Sequence, residues 1–576
     1  MQQEATVEES LEHKAKAWTS AFFDEEIRNE VEELLEQGGD ALADAFYKDL
    51  EFGTGGMRGI MGAGTNRINK YTIGQATQGL STYLTRQFEG EQIKVAIAHD
   101  CRHNSRKFAK LVADVFSANG IDVYLFEDLR PTPELSFAIR HLGCHSGVVL
   151  TASHNPPEYN GYKVYWNDGA QLVPPHDTNV INLVRETDLS NIQFEADEKR
   201  IHTIGEEIDK AYFEAIAEQS MGDAGKKDLS IVFTSIHGAS IKSVPPALKE
   251  AGFSNVHIVE EQSEPNGDFP TVKSPNPEEP EALKMAIEKA EELNADVIVG
   301  TDPDGDRIGV GIRDNNGKMQ LLNGNQAASL LTWYLIDQWK KADKLSGKEF
   351  IAETIVTSEL PAVIARDYGV STYYCLTGFK WIADIIRRKE GKEKFIGGGE
   401  ESYGYMVGDF VRDKDSASSS VIFCELAALA KSQGKTAFDF LINLYMRYGF
   451  YQEHLISIVK KGRNGEAEIA QMMKNFRNNT PLEIDGSKVI HTRDFETQIE
   501  TLENGETQPL DFPKSNVFQL ITKDGTRVTA RPSGTEPKIK FYFSVNQKLE
   551  NKEDFDNVQI QLKDKIERIV EELEIN

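Results

Sequence analysis

IKVAIAHDCRHNSRKFAKLVADVFSANGIDVYLFEDLRPTPELSFAIRHLGCHSGVVLTASHNPPEYNGYK, residues 93–163, alternates short apolar runs with longer amphipathic ones. Ile93–Ala98 reads as a strand, Ser105–Asn119 as a helix and Val123–Phe126 as a strand again. Pro133–Leu142 is then a helix leading into a last apolar run, Val148–Leu150. Short strands joined by helices in this rhythm argue for βαβ units and a largely parallel, helix-covered sheet. The last strand ends abruptly at Thr151. Ser153-His154-Asn155 follows, and Pro156-Pro157 stops strand or helix from continuing. A serine on a stiff turn at the mouth of a sheet, beside a histidine, is placed to act as a nucleophile, although a polar strand-to-loop turn would have the same composition.

The rhythm recurs on either side. Leu229–Phe233, Val256–Val259 and Asp296–Val299 read as strands separated by helices Ser243–Ala251 and Glu279–Leu293. A third block has helix Gln326–Gln338, strand Phe350–Thr354, helix Glu359–Tyr368 and strand Ser371–Cys375. Upstream, residues up to about Leu50 carry helical spacing (Ile27, Val31, Leu34, Leu35) interrupted at Gly38-Gly39, and a loop spans Gly53 to Thr65. From about residue 450 the pattern changes to short strands, Val517–Ile521, Arg527–Ala530 and Ile539–Ser544, and a terminal amphipathic helix, Asp554–Leu573. The expected fold class is α/β: three similar mixed or parallel-sheet α/β domains at 1–205, 206–322 and 323–447, and a C-terminal α+β domain at 448–576.

A chain of 576 residues is too long for one core. No run approaches the ~20 apolar residues of a membrane span, and the first residues lack the basic and apolar regions of a secretion signal. Cys101, Cys144, Cys375 and Cys424 form no CxxC pair and read as reduced thiols of a cytoplasmic protein. The net charge of −28 argues against nucleic acid, whose phosphates demand a basic surface. It leaves room for a small phosphorylated ligand, which a few local cations and backbone N–H groups can hold inside an acidic body.

Several loops offer that chemistry. Thr301-Asp302-Pro303-Asp304-Gly305-Asp306-Arg307 follows a strand, and three carboxylates at period two in an extended loop point the same way. So much negative charge converging on one point is self-repelling without a cation, and hard oxygen donors suit Mg²⁺. An EF-hand does not fit, because Arg307 would take the place of its glycine and Arg313 that of its last glutamate. Mg²⁺ commonly keeps a place for a phosphate oxygen, so a phosphorylated Ser153 would complete the set, with Arg307 offsetting charge. Arg531-Pro-Ser-Gly-Thr535 combines an arginine fork, two hydroxyls and free backbone N–H groups, which makes a phosphate cradle or else a plain turn. Gly53-Thr-Gly-Gly-Met-Arg-Gly59 is a similar flexible loop; Arg58 stands where a dinucleotide fingerprint would have its last glycine. Gly397-Gly-Gly-Glu-Glu-Ser402 offers carboxylate and hydroxyl groups suited to sugar hydroxyls, and on composition alone is a flexible turn. Lys380 in Thr377–Lys380 and Lys414 in Arg412–Asp415 add basic residues nearby, while His145 and His237 read as structural.

With TASHNP and NGYK, DPDGDR, GEES and RPSGTEP in this order, the chain resembles the α-D-phosphohexomutases over nearly its whole length. The GTGGMRG loop and the GEESYG form look most like the members acting on glucose and pentose phosphates. The resemblance implies four domains around a central cleft, each giving one loop. It implies that Ser153 cycles between free and phosphorylated forms, and that Ser153, Asp302, Asp304 and Asp306 bind Mg²⁺. Arg58, His154, Lys163 and Lys414 would lie near the transferring group and share its acid/base work. Thr377, Glu400 and Ser402 would hold the sugar, while Arg531, Ser533, Gly534 and Thr535 would hold the phosphate that is not reacting. Gly305, where many relatives have Ala, would add flexibility without removing a ligand.

The implied activity interconverts glucose 1-phosphate and glucose 6-phosphate through glucose 1,6-bisphosphate, which turns over between two transfers without ATP. Pentose or mannose phosphates are alternative substrates, and a non-catalytic sugar-phosphate-binding protein is the reading from another class. Intact Ser153 and three intact aspartates oppose the latter, and no GxSxG surrounds Ser153 to support a serine hydrolase. The expected partners are small sugar phosphates, with neither nucleic acid nor membrane, and a monomer is favoured.

Overall fold

The computed structural model describes residues 2–53, 55–460, 465–533 and 538–575. The first sheet contains β1 (Gly56–Ile60), β2 (Lys94–His99), β3 (Asp122–Phe126), β4 (Ser146–Leu150), β5 (Tyr159–Trp166) and β6 (Ile201–Ile204), in the order β1-β5-β4-β2-β3-β6. The second contains β7 (Ile231–Thr234), β8 (Val256–Ile258), β9 (Val297–Thr301), β10 (Ile308–Arg313) and β11 (Met319–Leu321), ordered β11-β10-β9-β7-β8. The third contains β12 (Glu349–Thr354), β13 (Ser371–Cys375), β14 (Lys394–Glu400) and β15 (Gly404–Val407), ordered β13-β12-β14-β15.

One unit underlies all three. Its first strand is central, its second and third lie parallel on either side, and its fourth turns back antiparallel outside the third. Parallel strands need long crossovers, which helices such as Ser105–Ala118, Thr132–His141 and Leu360–Asp367 supply. Strands covered on both faces can be nearly continuously apolar, as β4 (SGVVL) and β9 (VIVGT) are; every residue of both is buried, the terminal Ser146 and Thr301 included.

The C-terminal part is different. Its strands β16 (Phe450–Val459), β17 (Glu483–Ile484), β18 (Ser487–Asp494), β19 (Ile499–Leu502), β20 (Thr507–Pro509), β21 (Phe518–Thr522), β22 (Arg527–Pro532) and β23 (Lys538–Gln547) pair antiparallel. Helices Gly465–Asn478 and Phe555–Glu572 pack on this sheet.

A single apolar core runs through parts of all four sheets, from Val149 through Phe233, Val299 and Ile351 to Phe541. Helix Ser416–Ser432 is its hub: nearly all of it is buried, and it packs on helices Val244–Glu250 and Gly324–Lys341 and on β9, β10 and β15. Its Ser and Ala residues let these neighbours approach closely. No described helix is long and apolar enough to cross a membrane.

Three local readings change. Part of the 53–65 loop is a strand, β1, which pairs with β5 from Gly56↔Lys163 to Ile60↔Tyr159. Its glycines serve close approach: Gly56 has φ +124°, and a Cβ there would stand 1.8 Å from the Tyr162 carbonyl oxygen. The helix expected over Glu279–Leu293 is a 3₁₀ turn, Pro280–Leu283, followed by helix Lys284–Glu292, with Pro280 opening the tighter turn. Strands β16 to β20 and helix Gly465–Asn478 lie where the sequence showed no clear pattern. β16 is largely solvent-facing, with Leu455 41% exposed, so burial imposes no strict alternation on it.

Candidate active site

In each unit the turn from third to fourth strand carries a candidate loop. Ser153 lies between β4 and β5, Asp302–Asp306 between β9 and β10, and Glu400 ends β14 with Glu401 and Ser402 in the turn to β15. All three sit at the carboxyl ends of parallel strands, where open α/β sheets bind ligands.

Ser153 is buried and left-handed, with φ 53°, an unusual state for a residue other than glycine. Its N–H donates to Thr151 Oγ1 (2.8 Å) and its Oγ donates to Asp302 Oδ2 (2.8 Å), with His154 Nδ1 3.1 Å from the same oxygen. What holds this turn is Arg102, which the sequence reading missed. Its buried guanidinium donates to four carbonyls of the loop: Ser153 and Asn155 from Nη2, Pro156 and Tyr159 from Nη1. Asp100 faces it at 3.4 Å. Arg58, on β1, donates from Nη1 to Asn155 Oδ1 (2.8 Å) and keeps an exposed side. Burial, then the positive charges of Arg307 and Arg58, hold His154 well below its ordinary pKa, so the ring is neutral.

Asp302, Asp304 and Asp306 converge, each offering an oxygen within 4.8 Å of the others. They do so through a tight turn rather than the extended loop expected. Asp302 Oδ1 accepts from the N–H groups of Asp306 (3.1 Å) and Arg307 (3.0 Å), closing the turn over Gly305. Gly305 accordingly supplies a conformation and a fit rather than flexibility. Its φ is +67°, and a Cβ would lie 2.8 Å from Pro131 Cβ.

Two lysines from other units enter this loop. Lys163 Nζ donates to Asp304 Oδ2 (2.6 Å) and Asp306 Oδ2 (3.4 Å), and Lys414 Nζ stands 3.1 Å from Asp306 Oδ2. Thr132 Oγ1 adds a bond to Asp304 Oδ2 (3.0 Å). Burial, then the charges of Asp304 and Asp306, push Asp302 well above the usual carboxylate range, while Lys163 outweighs burial and holds Asp304 low. Asp304 Oδ1 and Asp306 Oδ1 are buried without a hydrogen-bond partner among the described residues. Buried carboxylate oxygens of this kind, in a cluster of three aspartates whose first member meets the Ser153 hydroxyl, fit a hard divalent cation.

Arg307 reaches Glu278, a partner no motif announced. Glu400 Oε1 accepts from the Gly378 N–H (2.8 Å), which ties the sugar-loop candidate to the turn bearing Thr377. Both Arg307 and Lys414 feel the Glu400 charge, so these loops share one space. Lys380 lies at the seam between the first and third sheets, in a small pocket with Trp166, Asp168, Gln171 and His176. On β22, Arg531 is in register with Lys540 on β23, so two cations stand side by side. Adjacent like charges are unfavourable without a counter-anion. The carboxylate of Glu401 interacts with both; burial and then Glu400 push it up to about 7 against the pull of Lys540 and Arg531. The Ser533 N–H is not free as expected, because it donates to the Lys538 carbonyl (2.7 Å) across the turn; Gly534 and Thr535 lie outside the described residues. A cavity of about 510 Å³ opens beside the Ser153 loop, lined by Arg58, Asn155, Lys163, Gln171, Tyr47 and Lys48 among others. His145 and His237 are engaged structurally: His145 Nδ1 accepts from the Lys94 N–H (3.1 Å), and His237 Nε2 meets Thr271 Oγ1 (2.9 Å).

Comparison with known proteins gives three family matches in the same order. Residues 49–191, 210–317 and 323–448 match α/β/α domains I, II and III of phosphoglucomutase/phosphomannomutase. A phosphoglucomutase of Staphylococcus haemolyticus is 37% identical over 544 residues, covering 93% of this chain and 95% of the relative. One from Staphylococcus aureus is 38% identical over 521 residues, covering 89% and 93%. Among solved structures, the open form of Paramecium parafusin, a phosphoglucomutase, aligns with TM-score 0.64 at 17% identity over 91% of this chain and 96% of that one. A phosphoglucomutase/phosphomannomutase family protein of Burkholderia thailandensis gives TM-score 0.64 at 19% identity over 91% and 98%.

Proposed function

The chain belongs to the phosphoglucomutase/phosphomannomutase family, and we propose that it is a phosphoglucomutase that moves a phosphoryl group between O1 and O6 of glucose through a phosphorylated Ser153. The observation that carries this reading is the meeting of Ser153 Oγ with Asp302 at 2.8 Å, in a cluster of three buried aspartates that would suit a divalent cation.

In the first transfer a sugar hydroxyl oxygen attacks the phosphorus of phospho-Ser153. The P–O bond to the sugar forms, the P–O bond to Ser153 breaks, and one proton passes from the sugar hydroxyl to Ser153 Oγ. His154 Nδ1, 3.1 Å from that oxygen, stands at the receiving end. Asp302, Asp304 and Asp306 would hold Mg²⁺, which supplies charge neutralisation at the transferring phosphoryl group. Lys163 and Lys414 hold the outer oxygens of Asp304 and Asp306, and together with Arg58 and Arg307 bring positive charge to the same place.

The bisphosphate then turns over, because Ser153 must recover a phosphoryl group from the other end. Arg531, Lys540 and Ser533 suit the end that is not reacting, with Glu400, Ser402 and Thr377 holding sugar hydroxyls in either orientation. Turnover of glucose, mannose and ribose 1-phosphates by the purified protein tests the sugar. Glucose 1-phosphate should have the highest kcat/KM. A large preference for mannose or ribose 1-phosphate would replace the assigned sugar while leaving the transfer chemistry intact.

A further inference from the structure

We propose that Tyr165 is a positioning residue for this transfer, fixing the Lys414 ammonium at the aspartate loop through Asp413. The proposal rests on the reading that Lys414 stands beside the transferring group.

Lys163 and Tyr165 are two apart on β5, so their side chains leave the same face of the strand. Lys163 reaches Asp304; Tyr165, fully buried, donates its OH to Asp413 Oδ2 at 2.6 Å. The other oxygen of Asp413 accepts from both the backbone N–H (2.8 Å) and the Nζ (3.0 Å) of Lys414. Lys414 Nζ then stands 3.1 Å from Asp306 Oδ2. One chain of contacts therefore passes from the first sheet through the segment after β15 to the metal-loop candidate of the second sheet.

The lysine has little freedom of its own. Its stem crosses Gly404 so closely that a Cβ there would lie 2.1 Å from Lys414 Cδ, and its ammonium is 5.3 Å from the centre of the Phe379 ring. What remains adjustable is how its charge is shared between Asp413 and Asp306. The Tyr165 hydrogen bond satisfies one Asp413 oxygen and holds the carboxylate plane. Without it, Asp413 can turn both oxygens toward the ammonium and draw it away from Asp306. Burial and the Asp413 charge keep Tyr165 protonated as the donor.

The change belongs to the transfer step rather than to substrate capture. In Tyr165→Phe we expect kcat for glucose 1-phosphate to fall about tenfold, the loss of one hydrogen bond to a charged group, with KM nearly unchanged. The discriminating measurement repeats the substitution in a Lys414→Ala background. If Tyr165 acts through Lys414, it has nothing left to position there and no further loss occurs. Asp413→Asn should show the same dependence on Lys414, and serves if Tyr165→Phe folds poorly. An equal loss in both backgrounds, or a loss that follows only the folded fraction, would overturn the inference while leaving the proposed transfer standing. Turnover of Lys414→Ala at the unmodified rate would remove both.

Discussion

At the scale of single residues, the candidate site is shaped by side chains that hold backbone as well as by those that would face a substrate. Arg102 is the clearest case. Its guanidinium satisfies the carbonyls of Ser153, Asn155, Pro156 and Tyr159 while facing Asp100. Arg102→Met keeps the apolar stem but leaves four carbonyls unbonded and a buried carboxylate uncompensated. A loss of about 3–5 kcal/mol in unfolding free energy is expected, together with a loss of turnover at saturating substrate. Denaturant titration and kcat measured on the folded fraction check both; retention of either would show that the turn is set elsewhere.

Ser153 and the three aspartates stood out as candidates because their chemistry is local and their spacing is short, whereas Lys163 entered only through the resemblance. Arg102 and Tyr165 did not stand out. Each works through atoms about fifty or more positions away, Ser153 O at separation 51 and Asp413 at 248, and no local pattern encodes such a pairing. Gly305 was read as freedom where the structure uses it for a left-handed turn against Pro131.

At the scale of elements, the repeated four-strand unit explains why three loops meet. A serine turn, an aspartate turn and a glutamate turn all follow the third strand of equivalent units. The βαβ rhythm that revealed those units was readable because buried parallel strands are continuously apolar. The half-exposed strands of the C-terminal sheet carry no such imprint, which is why β16 to β20 escaped notice.

One strand carries an unusual charge. Glu353 on β12 is 2% exposed and neither carboxyl oxygen has a hydrogen-bond partner among the described residues. Burial, then the nearby Glu359, push it well above the usual carboxylate range, with Arg527 opposing. Its folded pKa exceeds its unfolded one, so the native state binds the extra proton. The stability contributed is fully present below the unfolded pKa of ~4.3 and is lost as pH rises through the folded value. Across that window the slope approaches about 1.4 kcal/mol per pH unit. Glu353→Gln should flatten it, so that the variant gains stability relative to the parent between pH 5 and pH 8. Parallel pH dependences of Tm in the two proteins would refute the assignment.

At the scale of the whole molecule, the proposed function assigns different tasks to loops from different sheets. In that reading the Ser153 end does the chemistry, while Arg531 and Lys540, paired across β22 and β23, would hold whichever phosphate is at rest. Arg531→Ala should lower kcat/KM by roughly ten- to a hundredfold, the worth of one bidentate charge-assisted contact. Ser153 should still accept phosphate from glucose 1,6-bisphosphate in that variant, and more bisphosphate should escape during turnover. Unchanged kcat/KM would make the RPSGTEP segment an ordinary turn.

Everything else depends on Ser153 carrying the phosphoryl group. The direct measurement is intact-mass and peptide analysis of the protein after brief exposure to glucose 1,6-bisphosphate and Mg²⁺, then again after a chase with glucose 6-phosphate. The account predicts one phosphoryl group on the peptide containing Ser153, its removal by the chase, and neither label nor turnover in Ser153→Ala. A phosphoryl group on another residue, or full turnover by Ser153→Ala, would contradict it.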